Sequence, residues 1–99
     1  MDYEKFRLKP LKGKANYQDW ADDMTAFLMK EALWGYVDGS EIPTSSDDQE
    51  WKKKNGTAFG TLYLSCDREI KNLLKGVSSA KKAWDLLKTK FEYGEDFET

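Results

Sequence analysis

The stretch Asn16-Tyr17-Gln18-Asp19-Trp20-Ala21-Asp22-Asp23-Met24-Thr25-Ala26-Phe27-Leu28 decides the fold. Tyr17, Trp20, Met24, Phe27 and Leu28 recur at steps of 3, 4, 3 and 1, which is a single apolar stripe on a helix of 3.6 residues per turn. Asp19, Asp22 and Asp23 fall on the opposite side, with Lys30. They read as a solvated face, because nothing in the pattern adds the further ligands that a metal or acid–base site needs. Asn16 is placed to cap the helix, and Asp19 at the third helical position complements the positive end of the dipole.

Upstream, residues 1–15 contain Pro10 and Gly13 and alternate weakly through Phe6, Leu8 and Leu11. They are expected to form an extended arm that lays these three side chains on the helices, with a short edge strand as the alternative. Downstream, Leu33, Trp34, Tyr36 and Val37 crowd together around Gly35, which predicts a kink or a short second helix ended at Asp38-Gly39. Residues 39–48 concentrate Pro, Gly, Ser and Thr into a loop, and either Asp47 or Asp48 can cap the next helix.

Trp51, Ala58, Phe59, Leu62 and Cys66 have spacings compatible with one face of a third helix, with Lys52, Lys53 and Lys54 in solvent. Gly56 and Gly60 each cost that helix about 1 kcal/mol relative to Ala, though a Gly pair four apart also permits close approach of another helix. Asp67 is read as the cap of a short helix carrying Ile70, Leu73 and Leu74 and ended by Gly76. Ser78 or Ser79 caps a last helix with Ala80, Ala83, Trp84, Leu87 and Phe91 on one side. The fold class is therefore all-α: a compact bundle of about five helices, two of them short, behind an extended N-terminal arm. The arm covers residues 1–15, the helical domain 16–92 and an acidic tail 93–99.

Composition narrows the function. Ninety-nine residues suit one domain, which buries roughly 60–65% of the surface of its unfolded chain. The single cysteine, Cys66, cannot form an internal disulfide, and with no histidine the zinc sites and His-based triads are out of reach. Cys66 reads as a small buried residue. No enzyme, cofactor or metal is expected. No apolar run approaches the ~20 residues that span a bilayer, and the opening residues lack a signal peptide's apolar segment. No membrane association is expected, and the expected compartment is the cytoplasm, with the nucleus as alternative.

Charge is uneven along the chain. Residues 1–50 hold 6 Lys/Arg against 11 Asp/Glu, and residues 51–99 hold 10 against 7. Lys52, Lys53, Lys54, Arg68, Lys71, Lys75, Lys81 and Lys82 could form a basic surface for phosphate or an acidic partner. The overall acidic balance and the lack of interleaved aromatic platforms argue against nucleic acid as the ligand of this domain alone. An ordinary solvated surface is the simpler reading.

The order of anchors carries a resemblance. Leu11-x-Gly13-x-x-Asn16-Tyr17-x-x-Trp20-x-x-x-Met24-x-x-x-Leu28 is similar to the opening of copia-type retrotransposon Gag proteins. Leu33-Trp34-x-x-Val37-Asp38-Gly39 resembles a second signature of that family, and Ala80-x-x-Ala83-Trp84-x-x-Leu87-x-x-x-Phe91 its closing helix. The resemblance spans roughly residues 6 to 92. It implies the N-terminal domain of a capsid, which self-assembles into a virus-like particle through many weak contacts with its own copies. Zinc knuckle, protease motif and second capsid domain are missing from these 99 residues.

Two further expectations concern the side chains. Tyr17, Trp20, Met24, Leu28, Trp51, Leu62, Trp84 and Leu87 should anchor the core, since large aromatics at helical spacing mostly fill interiors. Phe6, Trp34 and Tyr36 are the candidates for contact with a partner, because they lie in the arm or where the helix breaks. The partner is a second copy of the chain or, in a domesticated adaptor, a short hydrophobic peptide of a host protein.

Overall fold

The computed structural model describes residues 8–93. Five α-helices succeed one another: α1 (Lys14–Lys30), α2 (Trp34–Asp38), α3 (Gln49–Leu64), α4 (Arg68–Leu73) and α5 (Ala80–Lys88), with a π-helical turn at Thr89–Tyr93. The count, and the shortness of α2 and α4, agree with the sequence. Phe6 and the tail beyond Tyr93 lie outside the described residues.

Helix α1 begins three residues earlier than its cap signal suggests, with Gly13 at the N-cap. Asn16 still closes the end, but from inside the first turn. Its Oδ1 accepts from the backbone N–H of Lys12 at 2.9 Å and of Gly13 at 3.3 Å, and its Nδ2 donates to the Pro10 carbonyl at 2.9 Å. The side chain therefore ties the incoming arm to the helix. At the other end Ala32 takes φ 62°, while Ala32 N–H donates to Met29 O and Leu33 N–H to Leu28 O. This is a Schellman closure, and it places buried Leu33 over buried Leu28.

Leu11 shows how the arm is held. It is completely buried, its N–H donates to Ser65 O at 2.8 Å, and its carbonyl accepts from Asp67 N–H at 3.0 Å. The result is a lone parallel bridge between Leu11 and Cys66, the one trace of the strand alternative among the described residues. Asp67 stands at the N-cap of α4 but makes no side-chain capping bond. Its carboxylate lies 3.6 Å from the Lys12 ammonium instead. The expected side-chain caps do form at Asp48, which accepts from Trp51 N–H, and at Ser79, which accepts from Lys82 N–H.

The core collects Leu11, Tyr17, Trp20, Met24, Leu28, Val37, Ala58, Leu62, Leu74, Ala83, Leu87 and Phe91. Each of the large side chains contributes about 1.5–3 kcal/mol of burial free energy. Trp51 and Trp84 are only half-buried, which corrects the expectation that they are interior anchors. The reason is visible in their partners. The Trp51 indole N–H donates to the Glu41 carbonyl in the surface loop at 2.6 Å, which holds its ring at the boundary. Trp84 lies between Trp20, on which it stacks, and half-buried Trp34, which meets it edge-on. Phe59, expected on the core side of α3, is also half-buried and stacks on Tyr63.

Two glycines near α2 permit close packing there. A Cβ on Gly35 would meet Glu41 Cγ at 2.5 Å, so the loop after α2 folds directly onto it. Gly39 ends α2 with φ 90°, and a Cβ there would meet the Lys81 side chain at 2.7 Å. Helix α2 is thereby clamped between its own loop and the start of α5.

Candidate protein-contact site

A seam of rings joins α1 to α5. Phe91 stacks on Tyr17 at 6.2 Å, Tyr17 lies 6.0 Å from Trp20, Trp20 stacks on Trp84 at 5.5 Å, and Trp84 receives Trp34 edge-on at 5.2 Å. Such pairs add about 0.5–1.5 kcal/mol beyond the area they bury. The π-helical turn at residues 89–93 includes Phe91 and carries it to Tyr17.

Trp34 and Tyr36, grouped in the sequence, are separated by the fold. Trp34 packs on Trp84, whereas Tyr36 lies 6.1 Å from Trp51. Both are half-buried, but they serve different neighbours. Around Tyr36 the charges are acidic. Its phenol is pushed above its ordinary range, first by burial and then by Glu41, Glu50 and Asp48. Asp48 is itself held low by the backbone N–H groups of Thr44 and Trp51, with help from the Thr44 hydroxyl. Asp38 is likewise lowered, chiefly by the Ser40 N–H. Ile42, on the same loop, is 72% exposed.

The eight basic residues do not make one continuous arrangement of free charges. Lys52 and Lys53 are exposed on α3, while Lys54 is half-buried and 4.0 Å from Glu50. Lys71 holds its ammonium 5.6 Å over the Tyr63 ring, a cation–π contact. Lys81 is paired with Asp85 at 2.6 Å. Arg68 is exposed at the start of α4, Lys75 just past its end, and Lys82 on α5.

Lys82 belongs to a feature that sequence reasoning missed. Together with Leu73, Asp85, Leu86, Thr89 and Lys90 it lines an open groove between α4 and α5. Leu73 is 38% exposed there. The spacing of Leu73 from Ile70 and Leu74 suggested an inward face, and no local pattern reveals that a six-residue helix leaves one leucine at the rim. On α1, Asp19, Asp22, Ala26 and Met29 are all exposed and fall at steps of 3, 4 and 3, a second stripe opposite the core stripe. Gln18 Nε2 donates to Asp22 at 3.0 Å.

Reactive chemistry finds little support. Cys66 is buried, its thiol donates to the Leu62 carbonyl at 3.3 Å, and burial pushes its pKa up to about 12. A thiol held protonated in this way is a poor nucleophile. Among the described residues no group of three or more Cys, Asp and Glu side chains could hold a metal ion, and no helix is long and apolar enough to cross a membrane.

A family model described as the gag-polypeptide of LTR copia-type matches residues 24–97, well over half of the chain. The chain matches no curated protein and no solved structure.

Proposed function

The chain belongs to the copia-type LTR gag-polypeptide family, and from that premise we propose that it is a structural assembly domain working through protein–protein contacts in a virus-like particle. The observation that carries this reading is the gag-polypeptide family match over residues 24–97, and the exposed apolar side chains are distributed in a way that suits it. Met29 (58%), Leu64 (61%) and Leu73 (38%) stand on three different helices, and Ile42 (72%) on the loop between α2 and α3. A domain with one small-molecule site gathers its apolar surface into one concave pocket. Scattered single side chains amid charge suit several small contacts, each weak alone, that become effective when many copies are linked.

The domain's role is accordingly non-catalytic, and its natural place is the cytoplasm, where such particles would form. Sedimentation velocity from micromolar to near-millimolar concentration, with electron microscopy of the concentrated samples, tests the reading. A sedimentation coefficient that rises with concentration is expected. A monomer at every concentration would overturn it. That outcome would favour a host-derived adaptor, for which exposed Ile42, in the loop held by Trp51, offers a foothold for a hydrophobic peptide.

A further inference from the structure

The Asp19–Asp22–Ala26–Met29 stripe and the Leu73–Leu86 groove have complementary form and charge. Residues 15–29 contain three Asp and no Lys or Arg, so the outer side of α1 is acidic along its middle, with Lys14 and Lys30 at its two ends. Met29 is a large apolar side chain, 58% exposed, at the end of that stripe. The groove offers the converse. Leu73 and Leu86 provide apolar surface, Lys82 and Lys90 are exposed beside them, and the one carboxylate that lines it, Asp85, is already held by Lys81 at 2.6 Å.

We propose that the groove between α4 and α5 receives the outer stripe of α1 from a second copy of this chain, with Met29 against Leu73 and Leu86 and Asp19 and Asp22 beside Lys82 and Lys90. The inference rests on the assembly reading and specifies which faces meet. Charge selects this pairing over the symmetric ones. Groove against groove sets Lys82 and Lys90 against their own copies, and stripe against stripe sets aspartates against aspartates, and like charges across an interface are costly. Stripe against groove instead brings Asp19 and Asp22 onto Lys82 and Lys90.

The two faces also cannot satisfy each other within one molecule. Helix α1 shares the seam of Trp20 on Trp84 and Tyr17 on Phe91 with α5 and the π-helical turn after it, and the stripe and the groove lie on the sides turned away from that seam. Each copy therefore keeps one stripe and one groove to offer. A contact between two different patches is heterologous, so it propagates into rings or open arrays rather than stopping at a dimer. The polar part of the contact weakens as salt is added.

A charge-exchange experiment on the full chain tests this. Variant one carries Asp19→Lys and Asp22→Lys, and variant two carries Lys82→Glu and Lys90→Glu. All four positions are exposed, and circular dichroism checks that each variant folds. In sedimentation velocity at low salt, each variant alone should associate roughly tenfold or more weakly than the wild type, because its stripe and groove now repel. An equimolar mixture should recover association, since each variant's stripe is opposite in sign to the other's groove. If the wild type associates and both variants associate equally well, or the mixture fails to recover, this pairing is wrong while the assembly reading stands. A wild type that stays monomeric throughout removes both.

Discussion

The indole N–H of Trp20 donates to the Ser65 hydroxyl at 3.2 Å, joining the middle of α1 to the residue that ends α3, 45 positions later. Both residues are buried, and Ser65 Oγ donates its own proton to the Leu62 carbonyl at 2.7 Å. Ser65 O meanwhile accepts from Leu11 N–H. One small polar residue thus connects the arm, α1 and α3.

Replacing Ser65 by Ala leaves the Trp20 N–H buried without its acceptor, which costs about 1–3 kcal/mol. Trp20→Phe combined with Ser65→Ala should cost less than the sum of the two single changes, because the second change removes the orphaned donor. Urea denaturation of the four proteins in this cycle measures the difference. Strict additivity would show that the bond contributes nothing.

Ala32 occupies the left-handed position of a Schellman closure that glycine ordinarily fills. A left-handed alanine costs about 1–2 kcal/mol, and the extra freedom that glycine gains in the unfolded chain returns about 0.5–1 kcal/mol of that. Ala32→Gly should therefore stabilise the domain by about 0.5–1 kcal/mol, read as a higher midpoint in urea with an unchanged slope.

Asn55 on α3 reaches the start of α5, where its Oδ1 accepts from Ala80 N–H at 2.9 Å and its Nδ2 donates to Ser78 O at 3.0 Å. It acts as a cap supplied from another helix, next to the local cap from Ser79. Asn55→Ala should cost about 1–2 kcal/mol, and Asn55→Asp should keep the acceptor and lose the donor, an intermediate effect. Amide hydrogen exchange should quicken first at the N-terminal turn of α5.

The Cys66 thiol gives a pH signature. Its folded pKa is pushed up to about 12 by burial, against about 8.5 in an unfolded chain. The unfolded state therefore releases its proton first, and stability contributed by the buried thiol declines as pH rises above about 8.5. Cys66→Ala should flatten that alkaline decline. In the native protein a thiol reagent at pH 8 should react far more slowly than in urea, and equal rates would contradict the burial.

Local order was legible in the sequence wherever the deciding interactions lie within a few residues. The stripe from Tyr17 to Leu28, the break at Gly35, the stop at Gly39 and the caps at Asp48 and Ser79 each involve neighbours along the chain, so periodicity and capping rules placed five helices and the family's order of anchors. The tertiary structure alone decided what those helices do to one another. It sent Trp34 to Trp84 and Tyr36 to Trp51, left Trp51 and Trp84 half-buried, moved the Asp67 carboxylate from a cap to Lys12, and made the groove of Leu73 and Leu86. These outcomes depend on the angles and distances at which separate helices pack, and no pattern within one helix encodes where its neighbour will lie.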